Sequence, residues 1–142
     1  MSALIADTGG LLRALANNPR GKPAWPDFEK ALTTASSVII PILVLAEVDY
    51  FLRDHRAAMR KLIADILDPE TTYEIEPVLA NDLARAMELD MKFNNLRLGL
   101  VDSMVAAVAE RRKIYRILTT DHDDFAAIRI GTRYHQSLLL VP

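Results

Sequence analysis

The chain of 142 residues contains no cysteine. Disulfides, thiolate zinc sites and cysteine nucleophiles are therefore excluded, and the absence fits a reducing compartment. Aromatic residues make up only 6% of the chain, so its core has to be built from Leu, Ile, Val and Ala. No long hydrophobic run is present. The apolar stretch Val38-Ile39-Ile40-Pro41-Ile42-Leu43-Val44-Leu45 is too short to span a bilayer and stops at Glu47. The start of the chain, Met1-Ser2-Ala3-Leu4-Ile5-Ala6-Asp7, lacks the basic region and apolar run of a signal peptide. These features lead us to expect a soluble, cytoplasmic protein with no membrane partner. Nor is there an excess of one charge. The formal net charge of −2 offers none of the basic footprint typical of nucleic-acid binders. That argument is weak, because carboxylates gathered around a cation lower the net charge without repelling a phosphate once the cation is bound.

What the chain does have is apolar bulk, at 51% of residues, and a length suited to one compact domain over residues 1–142. Short apolar runs at 4–6, 38–40 and 114–119 read as buried strands, 72–76 as an alternating strand, and 138–141 as a last short one. Between them, residues 25–35, 42–52, 56–67, 79–93 and 100–113 show helical periodicity, and Pro41 opens one of these helices. Thr8 is the expected N-cap of a first helix through Leu11, Leu12 and Leu15, following a turn at Asp7-Thr8-Gly9-Gly10. Strands alternating with helices predict an α/β fold, with a mostly parallel sheet covered on both faces.

Four carboxylates stand out from this frame. Asp7 and Asp121 each follow a predicted strand, and open α/β sheets bind ligands beyond the carboxyl ends of their strands. Glu47 interrupts an apolar helix, and Asp102 sits in the first turn of the most apolar helix in the chain. Each has a plainer role open to it. Asp7 would cap a helix, Asp102 would pair with a helix dipole, Glu47 would lie on a solvated edge, and Asp121 would form a turn. Taken together they suggest one site, since clustered carboxylates repel unless a cation neutralises them. Oxygen ligands without Cys and with few His favour Mg²⁺ or Mn²⁺ over zinc. Such a site is suited to phosphodiester hydrolysis, although spacing alone does not separate this from other Mg²⁺-dependent phosphoryl chemistry.

Four segments resemble the PIN-domain family, and within it the VapC-type ribonuclease toxins. They are Leu4-Ile5-Ala6-Asp7-Thr8-Gly9, Ile40 to Tyr50 around Glu47, Arg97-Leu98-Gly99-Leu100-Val101-Asp102-Ser103, and Ile117 to Phe125 around Asp121. The resemblance implies a PIN-like three-layer α/β/α sandwich with four to five strands. It also implies a Mg²⁺- or Mn²⁺-dependent endoribonuclease, silenced by a VapB-type antitoxin and often dimeric. It assigns Asp7, Glu47, Asp102 and Asp121 as catalytic and metal-binding residues, with Asp123 as a further ligand and Asp124 a competitor for that role. Thr8 and Ser103 would support the ligand carboxylates.

Arg97, in the loop before Asp102, is a candidate for contact with substrate or antitoxin, or else for a surface salt bridge. Basic patches at Arg53, His55, Arg56, Arg60 and Lys61, and at Arg111, Arg112, Lys113 and Arg116, suit either RNA phosphates or solvated helix faces. Asp49 lies two positions after Glu47, on the far side of a helix, and is set aside as a ligand. Tyr50, Trp25, Phe28 and Phe51 are expected in the core or at an interface, with a place for Tyr50 beside the site groove as the alternative. Two rivals to the ribonuclease remain. One is a catalytically silent domain of the same fold that binds RNA or protein. The other is a phosphotransfer receiver, disfavoured because the strand at 38–40 ends in Pro41 rather than Asp.

Overall fold

The computed structural model describes residues 2–142. A parallel five-stranded sheet runs in the order β3-β2-β1-β4-β7. Its strands are β1 (Leu4–Ala6), β2 (Val38–Pro41), β3 (Tyr73–Glu76), β4 (Arg116–Leu118) and β7 (Leu139–Val141). The helices that cover it are α1 (Thr8–Leu15), α2 (Pro26–Thr34), α3 (Ile42–Phe51), α4 (Arg56–Leu67), α5 (Ala80–Lys92), α6 (Gly99–Arg112) and α7 (His122–Ala127). This is the expected three-layer α/β/α sandwich. Among the described residues no helix is long and apolar enough to cross a membrane.

The composition explains the layering. Strands β1 and β2 are buried along their whole length, as runs of Leu, Ile, Val and Ala must be when both sheet faces are covered. Seven consecutive residues of α6, Ser103 to Ala109, are buried, so this helix lies inside the molecule rather than on it. Small Ala side chains at 106, 107 and 109 allow it to pack closely there.

The topology also creates the place where a ligand would bind. From β1 the chain winds outward through β2 and β3, then crosses back to β4 on the other side of β1. The crevice at such a switch point lies beyond the carboxyl ends of β1 and β4, where Asp7 and Asp121 follow.

Two local expectations need correction, and one pair of strands was not foreseen. Thr8 is the first residue of α1, and Asp7 occupies the cap position. Gly9 and Gly10 are helical rather than turn residues, because α1 starts hard against the end of β4. A Cβ on Gly10 would lie 2.1 Å from the Leu118 carbonyl oxygen, and one on Gly9 would lie 2.2 Å from Thr120 Oγ1. Finally, a small antiparallel pair, β5 (Arg129–Ile130) with β6 (Gln136–Ser137), precedes the last strand. Segments of two residues are too short for an alternation pattern to reveal them.

Candidate metal centre

All the acidic side chains of the cluster but Glu47 are carried by the end of a regular element. Asp7 leaves β1 in an extended conformation, with its backbone N–H donating to the Leu118 carbonyl at 2.9 Å. Although it sits at the cap position of α1, its side chain makes no capping hydrogen bond. Instead Asp7 Oδ2 accepts from Thr119 Oγ1 at 2.9 Å, while Asp7 Oδ1 is buried without any partner. Glu47 is half-buried, two turns into α3. Asp102 is half-buried in the first turn of α6, where the helix dipole favours a negative charge. Asp121 caps α7, its Oδ1 accepting from the Asp124 backbone N–H at 3.4 Å.

These groups face one another. One carboxylate oxygen from each of Asp102, Asp121 and Asp124 lies within 4.8 Å of the other two. The charges of Asp7, Asp121 and Glu47 all act on Asp102. Burial, then those neighbouring charges and a hydrogen bond shared with Asp121, push the Asp102 carboxyl up to about 8. Asp7 is also raised. Burial is the main cause, Glu47 and Asp121 add to it, and the Thr8 backbone N–H and the Thr119 hydroxyl pull the other way. Asp124 is raised by desolvation first and then by Asp121. Among the described residues none of these acids forms an ion pair with Lys, Arg or His. A buried, unpartnered carboxylate oxygen beside several more acids is the donor set of a hard divalent cation, so the residues present fit Mg²⁺ or Mn²⁺.

Other expected residues divide. Asp123 is exposed, whereas its neighbour Asp124 joins the cluster. The hydroxyls of Thr8 and Ser103 are buried without hydrogen-bond partners, which is unusual enough to require a reason. Arg97 is exposed in a left-handed conformation, φ 52°, and forms no ion pair among the described residues. Asp49 is not in the cluster; it pairs with Arg56 at 2.8 Å. His122 contacts the Thr119 carbonyl at 3.1 Å and is otherwise exposed. Of the basic patches, Arg111 and Arg112 are already paired with Glu76, Asp82 and Glu74 and are not free for phosphate. Phe28 is in the core, whereas Trp25, Tyr50 and Phe51 are exposed.

Thr119 was not singled out from the sequence. Fully buried, it donates to Asp7 and accepts from the Asp121 backbone N–H at 2.9 Å, so one hydroxyl orients two of the acids. The signal was available, since a Thr two residues before Asp121 at a strand end is the pattern of a local hydroxyl-to-backbone turn.

The comparisons with known proteins bear on the fold and the family. Two solved structures share the fold. The Mycobacterium tuberculosis toxin VapC20, described as cleaving the sarcin-ricin loop, superposes with a TM-score of 0.68 at 24% identity, covering 87% of this chain and 94% of its own. A toxin–antitoxin complex from Klebsiella pneumoniae gives 0.67 at 19% identity, with 88% and 92% covered. A search of curated protein sequences found no match. The sequence matches the PIN domain over residues 4–131, nearly its whole length, and the chain belongs to the PIN-domain family.

Proposed function

We propose that this protein is a Mg²⁺- or Mn²⁺-dependent endoribonuclease, the cytoplasmic toxin of a VapBC-type pair held silent by a VapB-type antitoxin. The observation that carries the reading is the convergence of Asp7, Glu47, Asp102, Asp121 and Asp124 with no ion-pairing cation among the described residues. The family and the two toxin folds support the choice of RNA as substrate and of an antitoxin as partner. Assembly as a homodimer, or as a hetero-oligomer with the antitoxin, belongs to the same reading.

In this reading Asp7, Glu47 and Asp102 hold the cation, and Asp121 and Asp124 complete the acidic shell; Asp123, exposed, has a weaker claim. Once bound, the cation supplies Lewis acidity for water activation and for charge on the departing oxygen. The chain supplies position. Thr119 fixes the Asp7 carboxylate and the backbone of Asp121 together, so both acids present the same faces to the crevice. Thr8 and Ser103, with hydroxyls left unpaired, are placed to hydrogen-bond a carboxylate or an incoming phosphate. Exposed Arg97 is suited to a phosphate further along the strand.

The test is cleavage of structured and unstructured RNA by purified protein, with Mg²⁺, Mn²⁺ or EDTA. We expect metal-dependent cleavage that falls by roughly 10³-fold in Asp7→Asn, the scale of losing several kcal/mol of charge stabilisation. Binding without cleavage under every metal condition would overturn the enzyme reading in favour of a silent binding domain.

A further inference from the structure

The last turn of α3 carries two aromatic side chains that the fold does not use. Tyr50 and Phe51 are 59% and 57% exposed in a chain whose aromatics are scarce. They follow Glu47 by three and four positions, so they share its helix face, about 4.5–6 Å further along the axis. Their rings meet edge to face with centroids 5.7 Å apart. The Arg53 guanidinium lies over the Tyr50 ring at 4.3 Å and has no carboxylate partner among the described residues. Neither ring belongs to the core or to the side chains packed against it.

We infer that Tyr50, Phe51 and Arg53 form a stacking platform for an unpaired base of the RNA strand whose phosphate reaches the acid cluster. The inference rests on the ribonuclease reading and adds a base-binding subsite to it. Two observations and a general property of bases converge. The platform begins one helical turn from Glu47, close to the reach between a phosphate and its neighbouring base. Aromatic faces stack any base, and paired bases do not offer theirs. The Arg53 guanidinium adds a positive charge complementary to the phosphates that flank a stacked base, with exposed Asp54 next to it in the chain.

The experiment is steady-state cleavage of a single-stranded oligoribonucleotide and of a blunt duplex of the same sequence, by wild type and by Phe51→Ala, Phe51→Trp, Phe51→Leu and Tyr50→Ala. Leu67→Ala, another exposed apolar position, is the control. The single strand should be cut in preference to the duplex. Phe51→Ala and Tyr50→Ala should raise KM by about 5- to 20-fold with little change in kcat, Phe51→Trp should retain wild-type KM, and Phe51→Leu should not. An abasic substitution scanned through the oligomer should cost wild type at one position next to the cut and cost Phe51→Ala nothing further there. The platform is overturned, with the ribonuclease reading intact, if wild type cleaves and the alanine variants match it in KM. The same holds if the variants lose only self-association or antitoxin binding. If wild type neither binds nor cuts any RNA, the ribonuclease reading itself fails and the platform falls with it.

Discussion

The two ends of α6 treat their charges in opposite ways. At the C-terminal end Glu110 is gripped by Arg85 through two hydrogen bonds of 2.9 Å and accepts from the Gly131 backbone N–H. Next to it Arg111 pairs with buried Asp82 and Glu76, and Arg112 with Glu76 and Glu74. The result is visible in the acid itself, since the Glu110 carboxyl is held below its ordinary value by Arg85 and the Gly131 amide despite the opposing effect of burial. At the N-terminal end, some two to three turns away, Asp102 meets more carboxylates, and its carboxyl is driven up. One helix thus joins a self-neutralised cluster to one that is left unbalanced. A chain that pairs its acids so thoroughly at one end could have done so at the other, and the omission supports the proposal that the second cluster takes an external cation.

The sharpest way to break the contrast is to remove the cation from the balanced end. Arg111→Met leaves Asp82, only 3% exposed, without an ion-pair partner. Stripping one member from a largely buried pair is costly, and we expect a loss of about 2–4 kcal/mol, read as a drop of roughly 5–15 °C in thermal denaturation. At the unbalanced end the sign reverses. Below about 8 the folded, metal-free protein keeps a proton on Asp102 that the unfolded chain releases above its ordinary value of 3.8. Stability attached to Asp102 is therefore present at low pH and lost as pH rises from about 4 to 8. Glu110 runs the other way, contributing above its ordinary value of 4.5 and losing that contribution as pH falls. Thermal denaturation in EDTA across this range should show Asp102→Asn gaining on wild type with rising pH, by about 1–3 kcal/mol at pH 8. Adding Mn²⁺ should reverse the order, because a cation that binds only the folded state stabilises wild type by mass action.

The elements that were legible in the sequence are those with a strong repeating pattern. The long helices α5 and α6 and the buried strands β1 and β2 announced themselves by period and by unbroken apolar runs. Asp7, Glu47 and Asp102 were legible because each is the odd charge in or beside an apolar element. What was hidden depends on contacts between distant residues. The Gly9-Gly10 pair reads as a turn until β4 is known to lie against it, 108 residues away at Leu118. The pairing of Arg111 and Arg112 with Glu76 and Asp82 is equally invisible, and with it the distinction between a basic patch for phosphate and a structural network. For Tyr50 and Phe51 the sequence left core and interface both open, and only the fold shows that their rings are exposed.

The finest division falls inside the acidic cluster, between two adjacent residues. The family resemblance favours Asp123 as the extra acid, two positions after Asp121. The helix geometry favours Asp124, because α7 begins at His122 and Asp124 returns to the face that Asp121 caps. Its backbone N–H already donates to Asp121 Oδ1, and one of its carboxylate oxygens lies with those of Asp102 and Asp121. Asp123 points to solvent, where a carboxylate contributes only a screened, long-range attraction to a cation. Calorimetric titration of Mn²⁺ should therefore separate them, with Asp124→Asn weakening binding by about 10-fold and Asp123→Asn by no more than about 2-fold. If Asp123→Asn costs as much as Asp124→Asn, α7 must turn or unwind when the cation binds, and the unbalanced end of the molecule is then also its adaptable end.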